Sequence, residues 1–295
     1  MSSEARNRSY HEDTDRFRAA LTRAEAVTGF SSRLIEKDYY CSVLLHDLSG
    51  PFDQGLVFKG GTCLSKVHAE FFRLSEDLDF CVSIAADAPA SLRRKAVSPL
   101  KEYFAAIPGR IGFFRVVDPL TGHHSSRQYQ GRVAYDSIVT GENEYIKVEI
   151  SLRETILLPT ENLPARTMLL DPDSNQPVFP AVKVRVLSLR EAYAEKVRAA
   201  LTRKEPAIRD FFDIDYALLR GLFNPREQAV LNLIAEKLAV AGNHPVDISD
   251  AKVTALKGQI EGQLKPVLRA RDYEGFDLQR VKDLLVEVVS LCPGK

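Results

Sequence analysis

The sequence contains no continuous apolar stretch of about 18 residues, the length that a helix needs to cross a bilayer. This absence excludes a transmembrane helix. The first residues, from Met1 to Asp15, are polar and carry both signs of charge, so they lack the apolar centre of a secretory signal. We therefore expect a protein of the cytoplasm that makes no contact with a membrane.

Cysteines are few, and none of them lies in a Cys-x-x-Cys pair that would indicate a zinc site. We expect all four to be buried free thiols, which suits a reducing compartment; they are Cys41, Cys63, Cys81 and Cys292. Neither sign of charge is in excess, because 40 Lys and Arg balance 40 Asp and Glu. This balance removes the simplest argument for a nucleic-acid-binding protein, a strongly basic chain, but leaves a local basic face open.

The length of 295 residues corresponds to about two domains. A turn-rich break at 171–180 separates a first part that mixes helix and strand patterns from a second part that is mostly helical. The sequence thus predicts an α+β fold, with a mixed α/β domain over 1–180 and a helical bundle over 181–295. The predicted strands are 56–59, 77–82, 111–117, 131–138 and 145–153, with a loop at 118–130. The predicted helices are 16–48 with a break at Gly29, 63–72, 91–106, 188–203, 207–222, 225–241, 249–270 and 277–291.

A short apolar strand ends in the turn Gly60-Gly61-Thr62, and a helix is predicted to follow at once. The first amides of a helix have no partner inside it, and together with the helix dipole they favour a bound phosphate. The two glycines let the backbone approach that phosphate closely, and the Thr62 hydroxyl adds a donor. Lys66 lies four residues after Thr62, on the same helix face, and is a further candidate ligand of the anion.

Two carboxylates follow on the next predicted strand, at Asp77 and Asp79. Residues two apart on a strand point to the same side, so these two side chains repel unless a cation bridges them. Mg²⁺ is the natural cation for oxygen ligands beside a polyphosphate. A phosphate-binding turn and a metal-binding pair, joined by one helix, suit phosphoryl or nucleotidyl transfer.

Glu149 is the best candidate for a third carboxylate. The strand pattern puts Lys147, Glu149 and Ser151 on one face and the isoleucines and valine between them on the other. Glu149 then either activates an attacking hydroxyl or completes the metal shell. A Gly-Gly-Thr turn alone is common, and an Asp-x-Asp pair alone is most often a solvated strand face. Their combination is what indicates function.

The chain resembles the AbiEii/AbiGii toxin family, and the signature is Lys59-Gly60-Gly61-Thr62-x-Leu64-x-Lys66 followed by Arg73-x-Ser75-Glu76-Asp77-x-Asp79. An upstream element of the family is matched by Glu36-Lys37-Asp38-Tyr39 as well. The downstream elements are matched by Ala194-Glu195-Lys196-x-Arg198-Ala199 and Arg209-Asp210-x-x-Asp213. This family comprises nucleotidyltransferase-like toxins of abortive-infection, type IV toxin–antitoxin systems, with relatives among the MenT toxins. The implied fold is a nucleotidyltransferase-like mixed sheet followed by a helical bundle.

The resemblance also implies roles for individual residues. Gly61 and Thr62 hold the triphosphate, Asp77 and Asp79 bind the metal, and Ser75 holds the turn or faces the active site. Lys196 and Asp213 come from the helical half and lie near the nucleotide, with Asp210 as the alternative or the partner to Asp213. Spacing alone agrees with the last assignment, since Asp210 and Asp213 share a helix face, but a salt-bridged helix hairpin has the same pattern. The general nucleotidyltransferase fold often has Asp where Glu149 stands, and Glu149 has a longer side chain, so the number of metal ions, one or two, is left open.

The resulting hypothesis is an NTP-dependent nucleotidyltransferase that uses Mg²⁺ or Mn²⁺. It transfers a nucleoside monophosphate to an RNA 3′ end such as that of tRNA, and an antitoxin that need not form a stable complex opposes it. A non-catalytic nucleotide or nucleic-acid binding module and a phosphotransferase on the same fold are the alternatives. The window 183–209 contains eight basic and three acidic residues, which fits either an RNA-binding face or a solvated helix face.

Overall fold

A computed structural model describes residues 9–52, 55–85, 87–153 and 155–292. The described chain forms two compact units. The first comprises the residues up to Ile156 together with Thr160–Leu187, and the second comprises Leu157–Pro159 together with the residues from Ser188 onward. The predicted boundary between two domains at 180/181 stays a prediction.

The first unit is built on a mixed sheet, which has seven strands within the described residues, in the order β3-β4-β5-β2-β1-β7-β6. The central pair β1–β2 is antiparallel, whereas β2 pairs with β5, and β1 with β7, in parallel. The outer pairs β3–β4, β4–β5 and β6–β7 are antiparallel. The strands are β1 Leu56–Lys59, β2 Asp77–Val82, β3 Arg115–His123, β4 Gln128–Asp136, β5 Asn143–Ser151, β6 Glu161–Ala165 and β7 Val182–Val186.

Side chains alternate in direction along the strands, so the sheet has one apolar face and one polar face. On β5 the buried apolar residues are Ile146, Val148 and Ile150, and they join Leu78 and Phe80 of β2 in one hydrophobic core. The main helices of this unit are α1 Thr14–Thr28, α2 Ser32–Ser49, α3 Gly60–Cys63 with a wider turn over Leu64–His68, and α4 Ala90–Ala105, and a short helical turn follows at Ile107–Arg110. A mixed sheet with helices, followed by a helical unit, confirms the predicted α+β class.

In the first unit, the predicted break at Gly29 and two predicted strands are confirmed, whereas one predicted helix is shorter in the structure. The break at Gly29 is real, because Gly29 has φ +80° and its N–H closes helix α1 on Glu25. The strands predicted at 56–59 and 77–82 have those bounds. The helix predicted over 63–72 ends at His68, since Glu70 and Phe71 both have positive φ, which no right-handed helix accommodates.

The predicted loop at 118–130 is wrong, because most of it is strand. Strand β3 continues to His123 and β4 begins at Gln128, so only a tight connection separates them. Most of β3 is exposed, and an exposed strand does not need the apolar alternation that sequence reasoning uses. Strands β6 and β7 were not predicted either; β6 carries Pro164, which suits its place at the edge of the sheet.

Helix α2 is almost completely buried, including three consecutive charged residues. The Glu36 carboxylate accepts hydrogen bonds from the Ser137 hydroxyl and from the Ile138 N–H, the latter at 2.8 Å. The Lys37 ammonium donates to Glu76 at 2.9 Å. Glu36 and Lys37 thus attach α2 to the chain after β4 and to the residue before β2.

Asp38 is the third of these residues and the most deeply connected. Its carboxylate forms an ion pair with Lys66, whose side chain is 1% exposed, and it also accepts the Met168 N–H at 3.1 Å. It thereby joins α2 to the turn after α3 and to the chain that follows β6. A buried ion pair of this kind tolerates the loss of neither partner.

The second unit consists mainly of helices, α5 Leu189–Thr202, α6 Ile208–Leu219, α7 Gln228–Leu238, α8 Asp250–Gly258 and α9 Leu278–Leu291. Ser188 caps α5 through the Glu191 N–H, and Asp277 caps α9. The Glu191 carboxylate is fully buried and accepts the N–H groups of Leu157 and Leu158, which explains why that short segment belongs to this unit. The helix predicted over 249–270 is interrupted after Gly258.

Within the described residues, every helix is either too short or too polar to span a bilayer. The four cysteines are all buried free thiols, as expected. Burial raises the pKa of Cys41 to about 12 and also raises that of Cys63, so these two thiols are unreactive at neutral pH.

The substitution Asp38→Ala should lower the free energy of unfolding by about 3 to 5 kcal/mol, because it leaves the Lys66 charge buried without its carboxylate. Chemical denaturation followed by circular dichroism measures this change. Asp173→Ala is the matched control, since the Asp173 side chain is 82% exposed and its pair with Arg16 is solvated. Equal losses in the two variants would contradict the structural role of Asp38.

Candidate functional site

The Gly-Gly-Thr turn lies directly against the Asp-x-Asp strand. Gly60 follows β1 with φ +76°, a conformation that favours glycine. A Cβ at Gly60 would lie 2.8 Å from the Asp79 Cβ and 2.9 Å from its Cγ, so no larger side chain fits here. Gly60 is thus required both by its backbone angle and by the close approach of the Asp79 side chain.

The register of the sheet aligns polar residues in a row on one face. Lys59 on β1 pairs with Asp79 on β2, and Asp79 pairs with Glu149 on β5. Gln130 on β4 continues the row, since it pairs with Glu149 and its amide donates to that carboxylate at 3.0 Å. Directly paired residues share a face, so cation, carboxylate, carboxylate and amide lie side by side.

Asp77 begins the next row on the same face of the sheet. It pairs with Lys147 on β5, whose ammonium lies 3.2 Å from Glu149. Although burial opposes it, the carboxylates of Glu149, Asp77 and Asp79 raise the pKa of Lys147. Lys147 thus offsets part of the charge that three neighbouring carboxylates bring together.

The Asp79 carboxyl is strongly affected by its surroundings. Burial, followed by the charges of Glu149 and Asp77, raises the pKa of Asp79 to about 6. The pKa of Glu149 is lowered instead: burial acts to raise it, but Lys147 outweighs that effect. The carboxyl of Asp79 is therefore held where its charge is disfavoured unless additional positive charge approaches.

The donor set of Asp77 and Asp79 fits a hard divalent cation, because carboxylate oxygens are its preferred ligands and added positive charge would relieve the repulsion at Asp79. Glu149 is turned toward Lys147 and Gln130 instead. Accordingly, in the part of the chain that the structure describes, no three His, Cys, Asp or Glu side chains are gathered as a ready metal site. The predicted third ligand stays a prediction that requires Glu149 to change partners.

The turn is held from behind by Arg73. This side chain is buried, and a Cβ at Gly61 would lie 3.2 Å from the guanidinium carbon and 3.0 Å from the Ser75 hydroxyl. Arg73 and Ser75 therefore pack against the backbone of Gly61. This position favours the first of the two predicted roles of Ser75, holding the turn, over facing the active site.

Two of the predicted phosphate contacts require correction. The Thr62 hydroxyl donates to the backbone carbonyl of Asp77, so it ties the helix to strand β2 and is engaged within the fold. The Lys66 ammonium is buried against Asp38 and does not extend toward an anion at the turn. Helical spacing placed Lys66 on the face of Thr62, but the wider turn over Leu64–His68 and the buried Asp38 carboxylate direct it inward.

The second unit contains the other predicted site residues, and it brings them together. The Lys196 ammonium lies 2.7 Å from Asp210 and 2.9 Å from Asp213. Both carboxylates are almost entirely buried, so this is a buried cluster and not the surface hairpin that spacing alone left open. Asp210 also contacts Arg203 at 3.3 Å, so it bridges two cations of the second unit.

Four of the eight basic residues in the window 183–209 form ion pairs with carboxylates. Besides Lys196, its cations Arg190, Arg198 and Arg203 each contact a carboxylate of the second unit. Lys183 and Arg185 belong to strand β7 of the first unit. The eight basic residues are therefore not one continuous helix face, which weakens the prediction of an RNA-binding surface there.

Sequence reasoning gave no role to Lys59, Gln130 or Arg73. Gln130 fell in the predicted loop, although the alternation of Gln, Tyr, Gln, Gly, Arg and Val from 128 onward is a strand signal. Lys59 faces Asp79 only because β1 and β2 are antiparallel neighbours, and no local pattern reveals that pairing.

Gly60→Ala should lower the free energy of unfolding by about 2 to 4 kcal/mol, since the positive φ and the collision with Asp79 both act. Gly141→Ala is the matched control: Gly141 has φ +72° but open space around its Cα, so only the backbone strain of about 1 kcal/mol applies. Urea denaturation of both variants measures the difference. If the two substitutions cost the same, the carboxylate does not pack against the turn.

A family model for the nucleotidyl transferase AbiEii toxin of type IV toxin–antitoxin systems matches residues 43–283. Two solved structures from Helicobacter pylori are similar to the chain, each at 18% identity and a TM-score of 0.45. For JHP933, 88% of either chain is covered. For a structure described as a candidate nucleotidyltransferase, 88% of this chain and 90% of the other are covered. No curated protein sequence gives a significant match.

The family match covers well over half of the chain and includes the Gly-Gly-Thr turn, the Asp-x-Asp strand, Glu149 and the Lys196 cluster. This chain therefore belongs to the AbiEii family of nucleotidyl transferase toxins of type IV toxin–antitoxin systems.

Proposed function

We propose that this nucleotidyltransferase toxin uses Mg²⁺ or Mn²⁺ to transfer a nucleoside monophosphate from an NTP to the 3′ hydroxyl of an RNA, with tRNA as the first acceptor to test. The observation that carries the proposal is the position of Asp79. Its side chain packs against Gly60 and it pairs with Glu149, with Asp77 on the same face of the sheet. Family membership supplies the reaction class, and the donor chemistry of the two aspartates supports the metal.

In this proposal Asp77 and Asp79 hold the metal ion, which when bound neutralises phosphate charge and favours attack at the α-phosphorus. The triphosphate lies over the half-buried Gly60, where the absence of a side chain allows close approach, and backbone N–H groups at the start of α3 donate to it. Lys59 and Lys147 keep the carboxylates ionised by adding positive charge beside them.

The acceptor oxygen forms a bond to the α-phosphorus, and pyrophosphate leaves with the electrons of the broken phosphoanhydride bond. Glu149 has one of two roles here. It accepts the hydroxyl proton, for which its ionised state is suitable, or it exchanges Lys147 for the metal. We assign Lys196 and Asp213 to the nucleotide, with Asp210 as the second carboxylate that fixes the Lys196 ammonium.

The biological role that we propose is growth arrest in abortive infection, opposed by an antitoxin that acts without a stable complex. Four buried free thiols are compatible with a reducing compartment, and we propose the cytoplasm.

A nucleotide-binding module without catalysis is the second candidate, and one observation favours it. Glu149 is engaged by Lys147 and Gln130, so the three carboxylates are not gathered for catalysis in this structure. The two functions differ in whether bound NTP is turned over.

Asp77→Asn and Asp79→Asn should each reduce transfer by roughly 100-fold or more, the usual loss when one preorganised electrostatic group is removed. The assay is incubation with labelled NTPs and total RNA, followed by identification of the labelled species. The unfolding midpoint of Asp79→Asn should equal or exceed that of the wild type, because the neutral amide removes a charge that its neighbours repel. Asp136→Asn is the control that keeps activity, since the Asp136 side chain is 76% exposed. Full activity of both site variants would refute Asp77 and Asp79 as metal ligands.

Titration calorimetry with NTP should give tight binding with Mg²⁺ and at least roughly tenfold weaker binding after chelation, because the metal screens the triphosphate from Asp77 and Asp79. The same protein is then supplied with RNA. Metal-dependent binding with transfer supports the enzyme, whereas binding without transfer to any RNA supports the non-catalytic module.

A further inference from the structure

The polar face of the sheet continues past Glu149 into a groove on the β3–β4–β5 side. The groove has a volume of about 380 Å³, and we name it the hairpin groove; its lining includes Thr121, His123, Gln130, Arg132 and Lys147. This volume lies within the range of about 300 to 1,000 Å³ that is typical of sites for small ligands. The groove therefore has room for a group of nucleotide size beside the proposed reaction centre.

The hairpin groove is continuous with the candidate site through direct contacts. Gln130 and Lys147 line the groove, and both also contact the Glu149 carboxylate, at 3.0 Å and 3.2 Å. A molecule that lies in the groove thus has its end at Glu149 and Asp79. This geometry suits an acceptor whose terminal hydroxyl reacts there.

An aromatic platform lies at the far end of the same face. Tyr145 is two residues before Lys147 on β5 and is 40% exposed, unusual for a large ring on a central strand. The Arg132 guanidinium lies over this ring, 5.4 Å from its centroid, and half of the Arg132 side chain is exposed. An exposed ring beside a cation is the arrangement on which unpaired bases stack while the cation contacts the backbone.

The spacing along β5 is consistent with such a strand. Tyr145 and Glu149 are four residues apart, which corresponds to about 13 Å. Stacked nucleotides advance about 3.4 Å each, so up to four nucleotides fit between the ring and the reacting hydroxyl.

We infer that the hairpin groove binds the single-stranded 3′ end of the RNA acceptor, with a base stacked on Tyr145 and a backbone phosphate at Arg132. This inference rests on the proposed function and names the surface that the acceptor occupies. The two basic residues of the groove, Arg132 and Lys147, outnumber its one acidic lining residue, Asp118. A phosphate would replace Asp118 as the partner of Arg132.

The proposed occupant is a single strand, because a base stacks on the Tyr145 ring only if the face of the base is exposed. Bases inside a duplex are stacked on one another, so their faces are not available to a protein ring. Unpaired terminal nucleotides expose those faces. The groove therefore selects an acceptor with an unpaired 3′ end over a blunt duplex.

The test measures binding of a fluorescent single-stranded RNA to the full chain by anisotropy, without NTP. Tyr145→Ala should weaken binding at least about fivefold, the lower end of what one stacked base contributes, while Tyr145→Phe stays within about twofold. Arg132→Ala should weaken binding and reduce the slope of log affinity against log salt by about 0.7, as for one lost phosphate contact.

Tyr273→Ala is the matched control, since Tyr273 in the second unit also lies under an exposed cation, Lys265, at 4.8 Å. It should bind RNA as the wild type does, and melting curves check that all variants fold. Unchanged affinity in both Tyr145→Ala and Arg132→Ala would overturn the inference. So would tighter binding of a blunt duplex than of a single strand.

Transfer assays separate this inference from the proposed function. If the wild type transfers nucleotides and Tyr145→Ala keeps its KM for RNA, the groove is refuted and the function stands. If the wild type transfers to no RNA but Tyr145→Ala still loses RNA affinity, the function is refuted and the groove stands. A raised KM for RNA with kcat preserved in Tyr145→Ala supports both.

Discussion

The concentration of negative charge around Asp79 is the constraint on which the candidate site depends. A carboxylate there faces another carboxylate across a strand pair and lies against a glycine that leaves it no room to move. Lys59 on one side and Lys147 on the other reduce the repulsion without removing it, and the pKa of Asp79 remains raised. Such an arrangement is costly for a fold and becomes favourable when a cation binds.

Helix α2 is the element that makes this arrangement rigid. Three consecutive charged residues leave the helix in different directions, because successive residues are about 100° apart around its axis. Glu36 holds the chain after β4, Lys37 holds the residue before Asp77, and Asp38 holds Lys66 below the glycine turn. The chain just before β2 and the turn after α3 are thus attached to a single helix by hydrogen bonds and ion pairs.

The two units use buried charge in similar ways. In the second unit Lys196 lies between two aspartates and Glu191 lies between Lys237 and two backbone amides. The Glu191 cluster is structural by its contacts, since it fixes the segment at Leu157 and Leu158. The Lys196 cluster also includes Arg203, which contacts Asp210, so its two aspartates contact two cations.

The sequence by itself determined the elements whose signals are local. The break at Gly29, the strands that carry Lys59 and Asp79, and the pairing of a glycine turn with an Asp-x-Asp pair all follow from residue types within a few positions. The family signature followed from the same residues, because it consists of short motifs in a given order.

Tertiary structure decided the rest. Lys66 turns to Asp38 and Thr62 to the Asp77 carbonyl because buried polar groups take the partner that packing supplies, wherever it lies in the chain. Gln130 and Lys59 reach the site only through strand register, a long-range property that no short window of residues encodes.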